Sequence, residues 1–276
     1  MPTIIIHTNT LNFEQSKTLE RKFGKLTAVK NHFRAELSEA PSRPKLSELS
    51  QALEIDINII PENFDASMAK LVISDMDSTL ISIECVDEIA DYINVKPQVS
   101  AITEAAMRGE LNFEESLTER VALLKGLKTS ALQAVYNDRL ELNPGAEIWM
   151  KGLKDKDIKF ALVSGGFTFF TDLLKTRLGI DYTRANTLSI KNDELDGTVA
   201  GGIIGAQAKA DFLIELCEAL EILTTQTIAV GDGANDLMMM EEAGLSIAYH
   251  AKPTVQAQAD TALNFRGLDA ILDFIA

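Results

Sequence analysis

Positive charge is scarce in this chain: 26 lysines and arginines stand against 41 aspartates and glutamates, a formal net charge of −15 over 276 residues. No stripe of lysine and arginine interleaved with aromatics occurs, so a nucleic-acid partner is disfavoured, and an anionic membrane surface equally so. Cysteine is nearly absent. Cys85 and Cys217 form no CxxC pair, each lies in an apolar helical context, and both read as buried thiols rather than disulfide or metal ligands. Histidine is as sparse, and His7, His32 and His250 are too scattered to suggest a zinc site. Long apolar runs are missing too. The opening MPTIIIHTNTLNFEQ has no positive leader and only three successive isoleucines, and nowhere do about 18 uncharged apolar residues follow one another. The expectation is a soluble cytoplasmic protein, free of membrane and nucleic acid; monomer and homodimer stay open.

What is present is enough apolar material, 46% of residues, for one large domain or two smaller ones. Residues 1–65 read as a small α+β module: a strand over Thr3–Thr8, a helix over Leu11–Phe23, a weaker strand signal, a helix over Leu46–Leu53 and a strand over Ile55–Ile60. Pro41, Ser42 and Pro44 interrupt it, and its pattern is short for a full βαββαβ unit. From Ile83 to about Leu140 the apolar spacing is helical throughout, as in Val86, Ile89, Ala90 and Ile93, which predicts a helical insert over 85–142. The rest, 66–84 and 143–276, alternates strand and helix, the pattern of a Rossmann-like parallel sheet covered by helices. The fold class is α/β, with a helical cap and a small N-terminal module.

In such a sheet ligands gather beyond the carboxyl ends of the strands. LVISDMD delivers Asp75 and Asp77, FALVSGG delivers Ser164, Gly165 and Gly166, and TIAVGDGAND delivers Asp232, Asn235 and Asp236; Lys209 opens the helix before the third strand. Singly, each has an ordinary explanation as a helix cap, a tight turn or a solvated charge. Together they make a site.

DMDST, SGGF, the lysine of GAQAKADF and GDGANDL resemble, in order, the four motifs of the haloacid dehalogenase superfamily of aspartate-nucleophile phosphotransferases. Within it, DMDSTLISIECVDEIA, TEAAMRGELNFEESLTERVALLKG and SGGFTFF are similar to the members that hydrolyse O-phosphoserine in the last step of serine biosynthesis. Residues 1–65 lie outside that likeness and are similar in placement to variable N-terminal modules, some of them ACT-like. The resemblance implies Asp75 as nucleophile and Asp77 as general acid and base. It also implies Ser164, Gly165, Lys209 and Asn235 around the phosphate, and Mg²⁺ on the Asp75 carboxylate, the Asp77 carbonyl and Asp232, with Asp236 behind. In the insert it implies Glu84 for a substrate ammonium, Arg120 for its carboxylate, and Met107 and Phe113 as an apolar wall, with Arg108 and Arg139 as competing cations. The electrostatics agree. Unit charges about 4 Å apart repel by about 4 kcal/mol at an effective dielectric near 20, so several carboxylates facing a phosphate dianion need a divalent cation and a lysine. Mg²⁺ suits an all-oxygen donor set. Two other readings share these motifs: a phosphatase or phosphotransferase for another small phosphate ester, and a sensor that binds a phosphorylated amino acid without turning it over.

Overall fold

The computed structural model describes residues 2–108 and 110–276, the Met107 side chain excepted. The elements are β1 (Thr3–Ile6), α1 (Phe13–Phe23), β2 (Thr27–Val29), β3 (His32–Glu36), α2 (Arg43–Leu53), β4 (Ile57–Ile59) and β5 (Leu71–Ser74); then the helices α3 (Cys85–Tyr92), α4 (Lys96–Met107), α5 (Phe113–Ala122), α6 (Thr129–Asp138) and α7 (Ala146–Asp155); then β6 (Lys159–Phe167), α8 (Thr168–Leu178), β7 (Tyr182–Lys191), β8 (Glu194–Ala200), α9 (Ala206–Leu220), β9 (Thr227–Gly231), α10 (Leu237–Glu242), β10 (Leu245–Tyr249), α11 (Pro253–Gln258) and β11 (Thr261–Leu263). The main sheet runs β11-β10-β9-β5-β6-β7-β8. β9, β10 and β11 pair in parallel, as do β6 and β7, while β8 folds back antiparallel at the edge. The mixed α/β class expected from strand and helix alternation is what is found. Among the described residues no helix is long and apolar enough to cross a membrane.

The chain forms two compact units, residues 1–73, 144–160 and 213–276 in one, and 74–143 and 161–212 in the other. In the first, the N-terminal segment corrects the expectation of an incomplete module. It is a full βαββαβ unit with an antiparallel sheet ordered β2-β3-β1-β4. The single weak strand signal is a hairpin, β2 and β3, turned at Lys30, whose φ is +49°. Its strands are only three and five residues long and alternate neither in polarity nor in burial, which hid the pattern that marks a strand. The module's core is Ile4, Ile6, Leu19, Phe23, Leu46, Leu49 and Ile57. α1 starts on an Asn12–Gln15 capping box, in which each side chain bonds the other's backbone N–H.

Polar contacts fasten this module to the C-terminal part of the same unit. The buried Asp56 carboxylate accepts from the backbone N–H of Asn264, Phe265 and Arg266 at 2.7, 3.0 and 2.9 Å. Asn58 exchanges two hydrogen bonds with Ala262. Two of the histidines that look scattered in sequence meet on one carboxylate. His7 Nδ1 lies 2.9 Å from Asp273 Oδ2, and His32 Nδ1 lies 3.1 Å from Oδ1, off the best hydrogen-bond direction. Arg34 Nε donates to His32 Nε2, which leaves Nδ1 to carry that ring's proton toward Asp273. Burial pushes the Asp273 carboxyl up, but the hydrogen bonds and proximity of His32 and His7 outweigh it and bring it to about 2. A folded pKa below the ordinary carboxylate value, ~3.9, stabilises the fold at neutral pH, and that contribution is lost as pH falls from about 4 through about 2. Asp273→Asn should therefore lower stability at pH 7 by about 2 kcal/mol and flatten the dependence across that acid window. Urea titrations from pH 7 to pH 2 check this; a variant with the parent's slope there contradicts it.

Candidate active site

The second unit holds most of the residues singled out in the sequence. β5 is buried along its whole length, and the chain leaves it at Asp75 into an open turn, Met76–Leu80, closed by Ile81 N–H donating to Met76 O at 3.0 Å. Within the turn Asp77 is extended and Ser78 is left-handed (φ +56°), so the turn aims its side chains where no regular helix would. Asp75 is buried and caps the turn through the Met76 N–H. Its Oδ1 also lies 2.8 Å from Nζ of Lys209, which is fully buried on the first turn of α9. A buried ammonium needs such a carboxylate, since either charge alone would pay a large desolvation cost.

Asp77 sits beside this pair in the chain with a different protonation preference. Burial, and next the Glu84 carboxylate, raise its pKa to about 7, against the opposing pull of hydrogen bonds from Cys85 and the charge of Lys209. Its Oδ1 accepts from the Cys85 N–H at 3.2 Å. A carboxyl poised there can give a proton and take one back near neutrality. Cys85 and Cys217 are both buried free thiols, and burial pushes Cys217 up to about 11.

The SGG segment is the end of β6. Ser164 is buried, and its Oγ accepts from Gly166 N–H at 2.8 Å. A Cβ on Gly166 would come within 2.8 Å of Asp77 Oδ2 and 3.0 Å of Ser164 Oγ, so glycine there lets the strand end approach the Asp77 turn. A Cβ on Gly165 would lie 2.9 Å from the Phe113 ring, which also faces Gly205. Phe113 is the first residue of α5, set by an Asn112–Glu115 capping box, and the structure thus brings the insert's aromatic over the SGG backbone.

Two supports had no signal in the sequence. Asn186 on β7 donates to Gly165 O and accepts from Ile204 N–H, both at 2.8 Å, tying the SGG strand end to the segment before Lys209. Ser78 Oγ donates to Glu84 Oε1 at 2.7 Å, fixing Glu84 at the N-terminus of α3. Single polar residues bonding to distant backbone leave no periodic trace.

The three insert arginines separate clearly. Arg139 reaches Glu88 and Asp91 at 2.7 and 2.6 Å, and Arg108 reaches Glu110 at 2.6 Å. Among the described residues Arg120 makes no ion pair; Nε donates to Ser116 O, and burial lowers its pKa against the opposing fields of Asp87, Glu84 and Asp77. The Met107 side chain lies outside the described residues.

In the first unit, the GDGAND loop follows β9. Asp236 is buried and accepts from the N–H groups of Asp232 and Gly233 at 3.2 and 3.0 Å, so its carboxylate folds the loop that presents the half-exposed Asp232. Any Cβ on Gly231 would collide with Asp236, and one on Gly233 with Asn235. Asp232 and Asp236 here, like Asp75 in the second unit, offer carboxylate oxygens, the donor chemistry that a hard divalent cation takes.

A buried lysine–aspartate pair and an acid poised near neutrality in one unit, and in the other a loop after a strand folded on its own carboxylate, are the parts of a phosphate-processing hydrolase. The family model of haloacid dehalogenase-like hydrolases matches residues 69–244, and the chain belongs to that family, whose hydrolases generally use a divalent metal. Within it, a phosphoserine phosphatase of Polaromonas sp. is 51% identical over 234 residues, 83% of this chain and 98% of that protein. Among solved structures, a HAD family hydrolase from Salmonella enterica serovar Typhi matches with a TM-score of 0.91 at 35% identity, covering 100% of this chain and 99% of its own. An unliganded probable phosphoserine phosphatase from Vibrio cholerae matches with a TM-score of 0.86 at 38% identity, covering 99% and 86%.

Proposed function

We propose that the chain hydrolyses O-phosphoserine to serine and phosphate through an aspartyl-phosphate on Asp75, as the last step of serine biosynthesis. Asp75 attacks phosphorus and forms the acyl phosphate, splitting one hard displacement into two easier ones. Asp77 gives its proton to the departing seryl oxygen, then takes one from the water that cleaves the acyl phosphate. Lys209, Ser164 and the Gly165 amide hold the phosphoryl oxygens, and Lys209 offsets the charge that opposes attack. Asn235 adds a phosphate contact, and Asp236 keeps the Asp232 loop in shape. The donor set fits Mg²⁺, with the Asp75 carboxylate, the Asp77 carbonyl and Asp232 as its protein ligands. When bound, the ion supplies Lewis-acid polarisation of the phosphoryl group.

The observation that carries the substrate assignment is the division of labour among the insert's arginines. Arg108 and Arg139 are committed to carboxylates of the protein, whereas Arg120, among the described residues, has none of its own and feels Glu84 nearby. A guanidinium for a carboxylate and a carboxylate for an ammonium read the two ends of an amino acid. Phe113, whose ring lies over Gly165, lines the wall between them; the Met107 side chain, the other apolar candidate, lies outside the described residues. Glu84→Gln should lower kcat/KM for phosphoserine about tenfold or more, and for phosphoglycolate, which lacks the amine, far less. Arg120→Ala should spare phosphoethanolamine, which lacks the carboxylate, relative to phosphoserine. Equal losses on all three esters would assign both residues to the architecture of the insert.

Phosphate release from O-phosphoserine tests the reading directly. EDTA should abolish it and Mg²⁺ restore it, whereas Ca²⁺, larger and more loosely coordinated, should not. Full release in chelator contradicts the metal assignment, and binding without release would make the chain a sensor.

A further inference from the structure

Asn143 ends the helical insert. Its backbone N–H donates to Leu80 O at 3.0 Å, and the flanking segments pair through Ile81 with Leu142 and Ser82 with Glu141. Its side-chain Nδ2 faces three carbonyls, Ser78 O at 3.3 Å, Thr79 O at 2.8 Å and Ile81 O at 3.1 Å. An amide carries only two N–H donors, so it shares them across the cluster. These carbonyls belong to the turn that carries Asp77 and to the residue that closes it. A turn with a left-handed serine exposes carbonyls that a helix would satisfy internally, and it persists only where its surroundings over-determine it. Asn143 is what converges on them. The same turn ends in the contacts that aim Asp77 and Glu84, Cys85 N–H to Asp77 and Ser78 Oγ to Glu84.

We propose that Asn143 is a positioning residue for the acid–base step: by holding the Ser78, Thr79 and Ile81 carbonyls it keeps the Asp77 carboxyl in line with the leaving oxygen. The proposal rests on Asp77 being the proton donor. Proton transfer tolerates little misplacement, and an error of about 1 Å costs about a hundredfold. In the phosphorylation step the dependence should therefore appear only where the leaving group needs the proton. Serine does. p-Nitrophenolate, stable as an anion, scarcely does.

Asn143→Asp is close to isosteric but replaces the donors with acceptors that repel the three carbonyls; Asn143→Ala removes the group altogether. In single-turnover rapid quench, both should lower the rate of phosphorylation by O-phosphoserine about ten- to a hundredfold, while the rate of phosphorylation by p-nitrophenyl phosphate falls by no more than about threefold. Activity on the nitrophenyl ester in the same preparation shows that the site has folded. Equal losses on both esters, or parent-like rates on both, overturn the proposal. Asp77→Asn run alongside separates the two levels. If it discriminates the esters and the Asn143 variants do not, Asn143 alone loses its role. If it does not, the Asp77 reading falls and this proposal with it.

Discussion

Asp75→Asn should abolish turnover of every phosphate ester, by at least about 10⁴-fold in kcat, or about 5.5 kcal/mol of barrier. An amide oxygen is a poor nucleophile and cannot form an acyl phosphate that water then cleaves, so no substrate rescues the change. The fold should survive with a lowered melting temperature: the Asn side chain keeps the shape of Asp75 and an oxygen that can accept from Lys209 Nζ, 2.8 Å from Oδ1 in the parent, but removes the charge that offsets the buried ammonium. Circular dichroism and the melting temperature establish the folded fraction, and burst-phase phosphate assays establish the loss. Turnover near the parent rate in a folded Asp75→Asn protein would remove Asp75 from the reaction.

Asp77→Asn carries the second largest effect, and its signature is selective. The site raises Asp77 to about 7 chiefly by burial and then by Glu84, which keeps it available as an acid at neutral pH. Asparagine neither gives nor takes a proton. The loss on O-phosphoserine should be about 10²- to 10⁴-fold, and on p-nitrophenyl phosphate much smaller in the phosphorylation step. Rapid-quench kinetics, which separate phosphorylation from hydrolysis of the intermediate, should show protein-bound phosphate accumulating with the activated ester, since the second step loses its base. Equal slowing of phosphorylation for both esters would mean that Asp77 shapes the site without transferring the proton.

How far the sequence carried these assignments depended on how local each feature is. Asp75 and Asp232 follow short apolar strands and Ser164 lies toward the end of β6, so each was legible from strand-end position alone. The helices α3 to α6 were legible from their apolar spacing. The β2–β3 hairpin was not, because its strands are short and do not alternate in polarity. The docking of the N-terminal module was invisible for another reason. Asp56 bonds residues more than two hundred positions away, and His7 meets Asp273 across nearly the whole chain. Such contacts pair a side chain with backbone or with one distant partner, and neither imposes a pattern on neighbouring residues. The same holds for Asn143 and Asn186. The choice among arginines also needed coordinates, since Arg108, Arg120 and Arg139 differ in which carboxylates they meet, not in residue type.

The covalent step can be observed without a variant. The protein is mixed with phosphorus-labelled O-phosphoserine and Mg²⁺, quenched in acid during the first turnover, and treated with borohydride, which reduces an acyl phosphate to the alcohol; the peptides are then mapped by mass. Acid-stable, hydroxylamine-labile label should appear on the protein before free phosphate accumulates, and borohydride should convert Asp75, alone among the aspartates, to homoserine. Phosphate released with no protein-bound label at any time, or reduction at an aspartate other than Asp75, would contradict the account.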